Sequence, residues 1–482
     1  MLVNLLRINS ILVGIVGSTM SLPLIVSIVY KEGNQLLFSY LGPIVVSIIV
    51  LLAVNLPLRK RKIDLSIRSS YMIVASAWIF ASLVGAMPLF LSGVTETFTD
   101  AMFESVSGFS TTGSTIFSDL ESLPKSINLW RCITHWLGGM GIVALTVALL
   151  PLLGIGGFQL IKAETTGPEK GKVTDKITTT AKILWFIYLV LTLLEAILLK
   201  IAGMSFLDAI SHAFSTLGTG GFSSNNSSIA GYDSAAIDII CTVFMFLAGI
   251  NFSMYFYAVT GNFSYIRKNS ELKAYIGIIF VCIIGTTLPL ISTYGNFWTA
   301  LRYGAFQTLA IGSTTGFATA DFTLWPSTSQ FFLLLLFFVG GCSGSTSGGF
   351  KVVRWVVLFK QVNNETKKML HPHGVFSLRL DGQARETDLV TVVTSFMIVF
   401  FALIGITTLA GCLAKLDLFT AFTGAISMVG NIGPGFGKLG PACNFGYLPI
   451  ALKWWYCFAM LAGRLELYTM IILLLPSYWK NR

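Results

Sequence analysis

The chain is poor in charge. Only 11% of its 482 residues are Asp, Glu, Lys or Arg, whereas 54% are apolar. With a mean hydropathy of +0.77, this composition excludes an ordinary soluble domain and indicates a polytopic membrane protein. The seven cysteines are scattered at Cys132, Cys241, Cys282, Cys342, Cys412, Cys443 and Cys457, an odd number with no CxxC pair. That pattern indicates neither a disulfide framework nor a zinc site. No file of acidic residues runs through the apolar segments, so there is no buried carboxylate relay. No Ser/His/Asp cluster, His/carboxylate metal site or phosphate loop appears either. A membrane-embedded enzyme, such as a lipid-modifying transferase, is therefore a remote alternative. The expectation is no catalysis, no covalent cofactor and no transition metal.

What the chain has is apolar length. Crossing about 30 Å of hydrocarbon takes roughly 20 apolar residues, and several stretches qualify. The first, about 8–30, is too long for a signal-peptide core and shows no small-residue cleavage site, so it reads as a retained helix. The net charge of +10 would suit nucleic acid if it were spread over one face, but it is gathered into clusters. These are Arg59–Lys62 with Arg68; Lys162, Lys170, Lys172 and Lys176; Arg267, Lys268 and Lys273; Lys360, Lys367, Lys368, Arg379 and Arg385; and Lys480 with Arg482. Threading the segments through a membrane puts every cluster on one side, the positive-inside pattern. A lipid membrane is the expected partner, not nucleic acid.

After two N-terminal segments at about 8–30 and 36–57, one module occurs four times. It comprises a spanning segment, a half-length amphipathic segment, a Ser/Thr/Gly loop and a returning segment. The parts are about 71–94, 98–109 and 127–152; 181–202, 205–215 and 233–260; 274–294, 297–311 and 328–358; and 389–413, 417–428 and 449–476. The expected division is 1–68 for the N-terminal pair, then modules at 69–160, 175–262, 270–360 and 386–482. The fold class is thus all-α and polytopic, with four pseudo-symmetric helix–loop–helix modules around a central pore.

The loops between short and returning segments carry the functional signal. They read Ser110-Thr111-Thr112-Gly113, Ser215-Thr216-Leu217-Gly218, Ser313-Thr314-Thr315-Gly316 and Gly430-Asn431-Ile432-Gly433. Any one of them passes for an ordinary turn. Four in register at membrane depth require a cavity or protein to satisfy their polar groups. A ring of carbonyl oxygens can replace the hydration shell of a potassium ion, and a short helix pointing its C-terminal end inward favours a cation. The returning segments share Leu137-Gly138-Gly139, Leu247-Ala248-Gly249, Val339-Gly340-Gly341 and Leu461-Ala462-Gly463. Small pairs allow close helix packing, and their recurrence supports a fourfold repeat.

Two further features lie on the returning segments. The run Gly340-Gly341-Cys342-Ser343-Gly344-Ser345-Thr346-Ser347-Gly348-Gly349 interrupts an apolar stretch. Glycine costs about 1 kcal/mol relative to Ala inside a helix, so the run predicts a break and reads as a gate across the pore. It lacks the Gly-Lys-Ser/Thr of a phosphate loop. Arg464 follows Gly463 deep in the fourth returning segment. A charge there costs roughly 3 kcal/mol on insertion scales and faces a cavity or partner. The expectation is that Arg464 binds carbonyls or hydroxyls of the 340–349 loop when the path is closed, with a structural pairing to Glu466 or a neighbouring helix as the plainer alternative.

On these residues the chain resembles the Trk/Ktr/HKT superfamily of potassium transporters over essentially its whole length, and within it the bacterial Trk-type membrane subunit. The resemblance implies potassium binding at Thr111–Gly113, Thr216–Gly218, Thr314–Gly316 and Asn431–Gly433, with rubidium also accepted. Plant relatives with Ser at the first glycine position carry sodium; Gly113 implies potassium. The fourth loop departs from the family's Ser/Thr theme at Asn431 and Ile432. The resemblance also implies a homodimer, a cytosolic RCK-type (TrkA-like) nucleotide-binding regulatory subunit, and residence in the bacterial cytoplasmic membrane.

Other polar residues carry weaker readings. His135 and His212 are expected to pack or bond locally, and His371-Pro372-His373 to meet a cytosolic partner. Glu104 either stabilises the filter through hydrogen bonds or serves as a solvated or helix-capping residue. Asp100 and Asp208 either raise cation concentration near the entrance or cap helices, and Asp233 and Asp238 fit helix starts. Asn225–Ser228 holds glycosylation sequons. The expected function is gated potassium uptake driven by the membrane potential. About 2.3 kcal/mol per charge per 100 mV, at 1.36 kcal/mol per tenfold, gives roughly fifty-fold accumulation. The alternative is a potassium symporter coupled to protons or sodium.

Overall fold

The computed structural model describes residues 2–58, 67–141, 177–384 and 388–480. It is a multi-pass helical protein. Six helices are long and apolar enough to cross a membrane among the described residues, up to seven if one bent pair counts as a span. Two of the basic clusters, Arg59–Lys62 and Lys162–Lys176, lie outside the described residues, as does the expected first returning segment beyond residue 141.

The N-terminal pair is α1 (Leu2–Thr19) running into α2 (Ser21–Val29), then α3 (Asn34–Leu58). Gly17 lets α1 lie close to α3, since a Cβ there would stand 2.5 Å from the Ser47 Cβ. The first module has α4 (Ile67–Leu91), α5 (Phe98–Phe109) and α6 (Lys125–Gly139), and the second α7 (Ile177–Ile201), α8 (Phe206–Leu217), α9 (Ala235–Ala248) and α10 (Phe252–Val259). After the short α11 (Phe263–Lys268), the third has α12 (Ser270–Tyr294), α13 (Phe297–Gly312), α14 (Ser327–Leu336) and α15 (Val352–Leu370). A two-residue-per-strand hairpin, β1 (Arg379–Leu380) against β2 (Gln383–Ala384), precedes the fourth. That module has α16 (Asp388–Leu413), α17 (Leu418–Gly430), α18 (Ile450–Arg464), α19 (Tyr468–Leu474) and α20 (Pro476–Trp479).

The short helices start by one device. Thr97, Ser205, Asn296 and Asp417 are their N-caps, each accepting a backbone N–H two or three residues on. Such caps fix where each helix begins. Apolar side chains such as Phe186, Phe280 and Ile398 stay exposed on the long helices, as befits helices whose outer solvent is lipid. The short helices instead bury most of their length, Ala101 through Phe109 in the first and Thr423 through Gly430 in the fourth.

One expectation is corrected. The second and fourth returning segments were expected to run continuously, with a break in the third alone. The second bends by 93° between α9 and α10, and the fourth stops at Arg464, with Glu466 and Leu467 at positive φ of 57° and 44°. The third is interrupted from 337 to 351, and the described part of the first ends its helix at Gly139. The small pairs give a physical reason for where these helices approach the centre. A Cβ on Gly138 would stand 1.9 Å from the Phe109 carbonyl oxygen, and one on Gly463 2.0 Å from that of Val429. Each of these two helices thus presses bare backbone on the end of a short helix.

Candidate ion pathway

The four loops share one backbone course. Thr111, Thr219, Thr314 and Asn431 adopt positive φ of 56°, 52°, 57° and 53°. Two residues later come Gly113, Gly221, Gly316 and Gly433 at 81°, 81°, 79° and 102°. Between them, the amides of Thr112, Gly220, Thr315 and Ile432 each donate to the carbonyl five residues back, at 2.8–3.0 Å. The left-handed residues reverse the chain at the helix end, and only glycine takes the second such turn without strain.

These glycines close a cycle. A Cβ on Gly113 would lie 1.8 Å from the Gly220 oxygen, on Gly221 2.1 Å from that of Thr315, on Gly316 2.2 Å from that of Ile432, and on Gly433 2.7 Å from that of Thr112. Each loop touches the next, and the fourth returns to the first. All four glycines line one cavity of about 110 Å³ at the mouth of the ring, beside Ser118, Asn226 and Asn444. Thr112, Gly220, Thr315 and Ile432 are buried, yet their carbonyl oxygens accept no hydrogen bond among the described residues. The Gly433 oxygen differs, accepting from the hydroxyls of Ser114 at 2.9 Å and Ser427 at 2.8 Å.

The structure moves the second loop by three residues. Thr216 and Leu217 end α8, and Gly218 is its C-cap with φ of −70°. The Thr216 hydroxyl bonds back to the His212 carbonyl at 2.8 Å, and Leu217 packs with Tyr188, Phe244 and Phe252. Gly218 faces α6, where a Cβ would meet the His135 oxygen at 2.6 Å. The stretch in register with Ser110–Gly113 is Gly218–Gly221. A signal for this is in the sequence: Gly113, Gly221 and Gly433 each follow an N-cap by sixteen residues, from Thr97, Ser205 and Asp417. In the other three loops Thr111–Gly113, Thr314–Gly316 and Asn431–Gly433 lie on the cycle. Asn431 also ties its loop to two neighbours, donating to the Thr112 hydroxyl and the Met460 carbonyl, both at 2.9 Å.

On the face of the ring opposite the mouth, the 340–349 loop crosses from module to module. Gly348 N–H donates to the Thr314 hydroxyl at 2.7 Å, and a Cβ on Gly348 would lie 2.6 Å from the Gly430 oxygen. Cys342 N–H reaches the Gly249 carbonyl at 2.9 Å, and the Gly344 carbonyl accepts from Phe252 N–H at 3.0 Å. Thr346 bonds the Ala248 carbonyl at 3.2 Å. Gly340 and Gly349 pack on one another where the loop closes, a Cβ on Gly349 lying 3.2 Å from the Gly340 Cα. The Ser345 hydroxyl donates to the Cys342 carbonyl at 2.6 Å.

Three charged groups hold this loop. Arg464 donates to the Thr346 carbonyl at 2.7 Å and to those of Gly138 and Gly139 at 2.7 and 3.0 Å. Lys351, buried, donates to the Ser347 carbonyl. Glu271, at the start of α12, accepts from Ser343 N–H at 2.6 Å and Val353 N–H at 3.1 Å, tying the loop to the first turn of α15. Sequence reading missed Glu271 and Lys351. A single acid in the first turn of a helix carries no motif that would mark it. Glu466, offered as a partner for Arg464, instead pairs with Arg354. The Asp381 carboxylate of the hairpin accepts from Ser270 N–H at 2.6 Å, joining the hairpin to the same end of α12.

The remaining candidates have local partners. His135 stacks on Phe222 at 4.0 Å between ring centroids, and His212 bridges the Asp208 carbonyl and the Ser223 hydroxyl at 2.8 and 2.9 Å. His371 and His373 are exposed. Asp100 pairs with Lys453 at 2.6 Å, Asp208 accepts from Ser224, and Asp238 pairs with Arg302 at 2.7 Å. Asp233 closes a 3-10 turn in the left-handed region. Asn226 donates to Asp119 across the mouth at 3.0 Å. That exposed carboxyl is held below its usual range, chiefly by the Asn226 hydrogen bond. No group of three His, Cys, Asp or Glu residues with metal-holding geometry occurs among the described residues.

Four helix–loop–helix units closing their loops into one ring define a cation-transport type of membrane protein. The sequence profile of the TrkH family, described as cation transport protein, matches residues 40–280 and 295–481. The chain belongs to the TrkH family. It is 37% identical to the Trk system potassium uptake protein TrkH of Salmonella typhimurium, covering 98% of this chain and 99% of that protein. It is 33% identical to the Trk system potassium uptake protein TrkG of Escherichia coli, over 98% and 97%. The crystal structure of the potassium transporter TrkH from Vibrio parahaemolyticus superposes with a TM-score of 0.87 at 34% identity, covering 100% of both chains. The family is one of transporters, not enzymes.

Proposed function

We propose that this chain is the membrane subunit of a potassium uptake system and that K⁺, with Rb⁺, passes through the ring of four loops. The observation that carries this reading is the cycle of buried carbonyls at Thr112, Gly220, Thr315 and Ile432, each against the preceding loop's glycine and none bonded to a donor among the described residues. Buried carbonyls without donors are rare, and a dehydrated cation is what such oxygens serve. The short helices end at this ring and aim partial negative charge at it. The Gly433 oxygen, already held by two hydroxyls, makes the fourth wall the weakest ligand. The 340–349 loop, crossing behind the ring and held by Arg464, is the gate in its closed position. The relatives' names place them in a Trk system, and this chain is read as working with a cytosolic RCK-type, TrkA-like nucleotide-binding subunit and as a homodimer.

The test is flux through purified protein in liposomes with K⁺, Rb⁺ and Na⁺ compared. Potassium and rubidium should pass and sodium should be excluded. Gly113→Ser, which places a side chain against the Gly220 carbonyl, should raise the sodium share. Equal passage of all three ions by the unaltered protein would reject the filter. A current that reverses away from the potassium equilibrium potential and moves with proton or sodium gradients would replace the channel by a symporter.

A further inference from the structure

Nine residues ahead of each ring glycine, the short helices carry Glu104, His212, Gln307 and Gly424. Three of these brace the strand that leaves the ring. Glu104 accepts from the Ile116 amide at 2.9 Å and from the Thr115 hydroxyl at 2.9 and 3.1 Å. His212 meets the Ser223 hydroxyl at 2.9 Å, and Gln307 donates to the Ala320 carbonyl at 3.4 Å. In the fourth module Gly424 offers nothing, and the neighbouring Thr423 hydroxyl accepts from Phe436 N–H at 3.0 Å. One structural position thus has four chemistries.

Charge enters this layer at the first module. Arg131 Nε lies 2.7 Å from a Glu104 carboxylate oxygen, with side-chain exposures of 1% and 0%. The same guanidinium donates to the Ser223 carbonyl and the Asn128 side chain, both at 3.1 Å, and to the Thr115 hydroxyl at 3.2 Å. It lies over the Phe222 ring at 4.2 Å. Thr115 and Ser223 stand two residues beyond Gly113 and Gly221. A single rigid fork therefore spans the outgoing strands of two adjacent loops. A planar guanidinium fixes such geometry as an ammonium does not.

We propose that Glu104 and Arg131 are a positioning pair that sets the separation of the first and second ring walls, and through it the preference for K⁺ over Na⁺. The proposal rests on the filter reading above. Whether selectivity comes from cavity size or from the number of coordinating dipoles, the spacing of facing carbonyls must be held. The pair is placed to hold it from behind, out of contact with the ion. A buried, hydrogen-bonded ion pair is weak evidence for stability and suits a geometric role.

The experiment measures reversal potentials in planar bilayers with K⁺ on one side and Na⁺ on the other. The permeability ratio is read per conducting molecule, so loss of folded protein does not move it. Glu104→Gln and Arg131→Lys should each lower the K⁺/Na⁺ ratio about tenfold. The double variant should lie no lower than the worse single one, since both break one link. Thr115→Val, which keeps the ion pair and loses the shared hydroxyl, should fall between. If Glu104→Gln yields no conducting protein, Arg131→Lys and Thr115→Val decide the matter. Unaltered ratios in the conducting variants would overturn the proposal. Gly113→Ser separates the two levels. If it shifts the ratio and the pair variants do not, the brace is rejected and the filter stands. If it too shifts nothing, the filter reading fails first.

Discussion

The Arg464 guanidinium binds the carbonyl oxygen of Thr346 at 2.7 Å while a second nitrogen holds Gly138 at the same distance. One side chain thereby couples the loop behind the ring to the returning helices of the first and fourth modules. Hydrogen bonds from charged groups are worth about 1.5–3 kcal/mol. If they stabilise the closed arrangement, Arg464→Ala should shift the opening equilibrium by roughly ten- to a hundredfold. Rubidium uptake into proteoliposomes, without any added partner, would rise accordingly. Uptake equal to that of the unaltered protein would show that Arg464 does not hold a gate.

Glu271 makes a separate prediction. Its carboxylate pins Ser343 in the loop and Val353 in the first turn of α15 that follows it, and its helix start is tied to Asp381 of the hairpin. Glu271→Gln keeps an acceptor oxygen but removes the charge, so basal flux should rise several-fold. Glu271→Ala should raise it further, and Asp381→Ala should act in the same direction more weakly. Single-channel open probability is the readout. A set of variants with lowered or unaltered opening would place the latch elsewhere.

The corrected register of the second loop is directly testable. Gly221→Ser sets a side chain 2.1 Å from the Thr315 carbonyl at a φ of 81° and should alter ion preference or abolish conduction. Gly218→Ala instead meets the His135 oxygen of α6 at 2.6 Å. Its effect should appear as a lower melting temperature with an unaltered permeability ratio. The opposite assignment of effects would restore Ser215–Gly218 as the ring segment.

Asn431 is a structural test of the fourth loop. Its amide donates to Thr112 and Met460 from a backbone at φ of 53°. Asn431→Ala leaves those acceptors without their donor and puts a less tolerant residue in the left-handed region. The expected loss is about 2–3 kcal/mol, seen as a melting temperature lowered by several degrees in detergent. A change below about 0.5 kcal/mol would mean that the loop is held by its neighbours alone.

Most of the architecture is legible because it is written in length and repetition. The half-length segments near 98, 206, 297 and 418, the apolar spans and the Gly/Ser run all follow from hydropathy and helix propensity. The register of the second loop was less visible. Ser215-Thr216-Leu217-Gly218 imitates Ser110-Thr111-Thr112-Gly113 in residue type, whereas the backbone counts turns from the cap at Ser205. The breaks in the second and fourth returning helices were hidden for another reason. Ala248-Gly249 and Ala462-Gly463 are compatible with a continuous helix, and the interruption depends on what packs across from them. Glu271 and Arg131 were out of reach altogether, because Glu271 meets Ser343 72 positions on, and Arg131 joins Glu104, 27 positions back, to Ser223, 92 positions on.

The ring closes Gly113 on Gly220, Gly221 on Thr315, Gly316 on Ile432 and Gly433 on Thr112, all within one polypeptide. A pore assembled from four identical subunits must change every quadrant at once when its gene changes. Here each quadrant answers to its own codons. Evolution, or an engineer, can adjust a single side of the ring and leave the other three as they were.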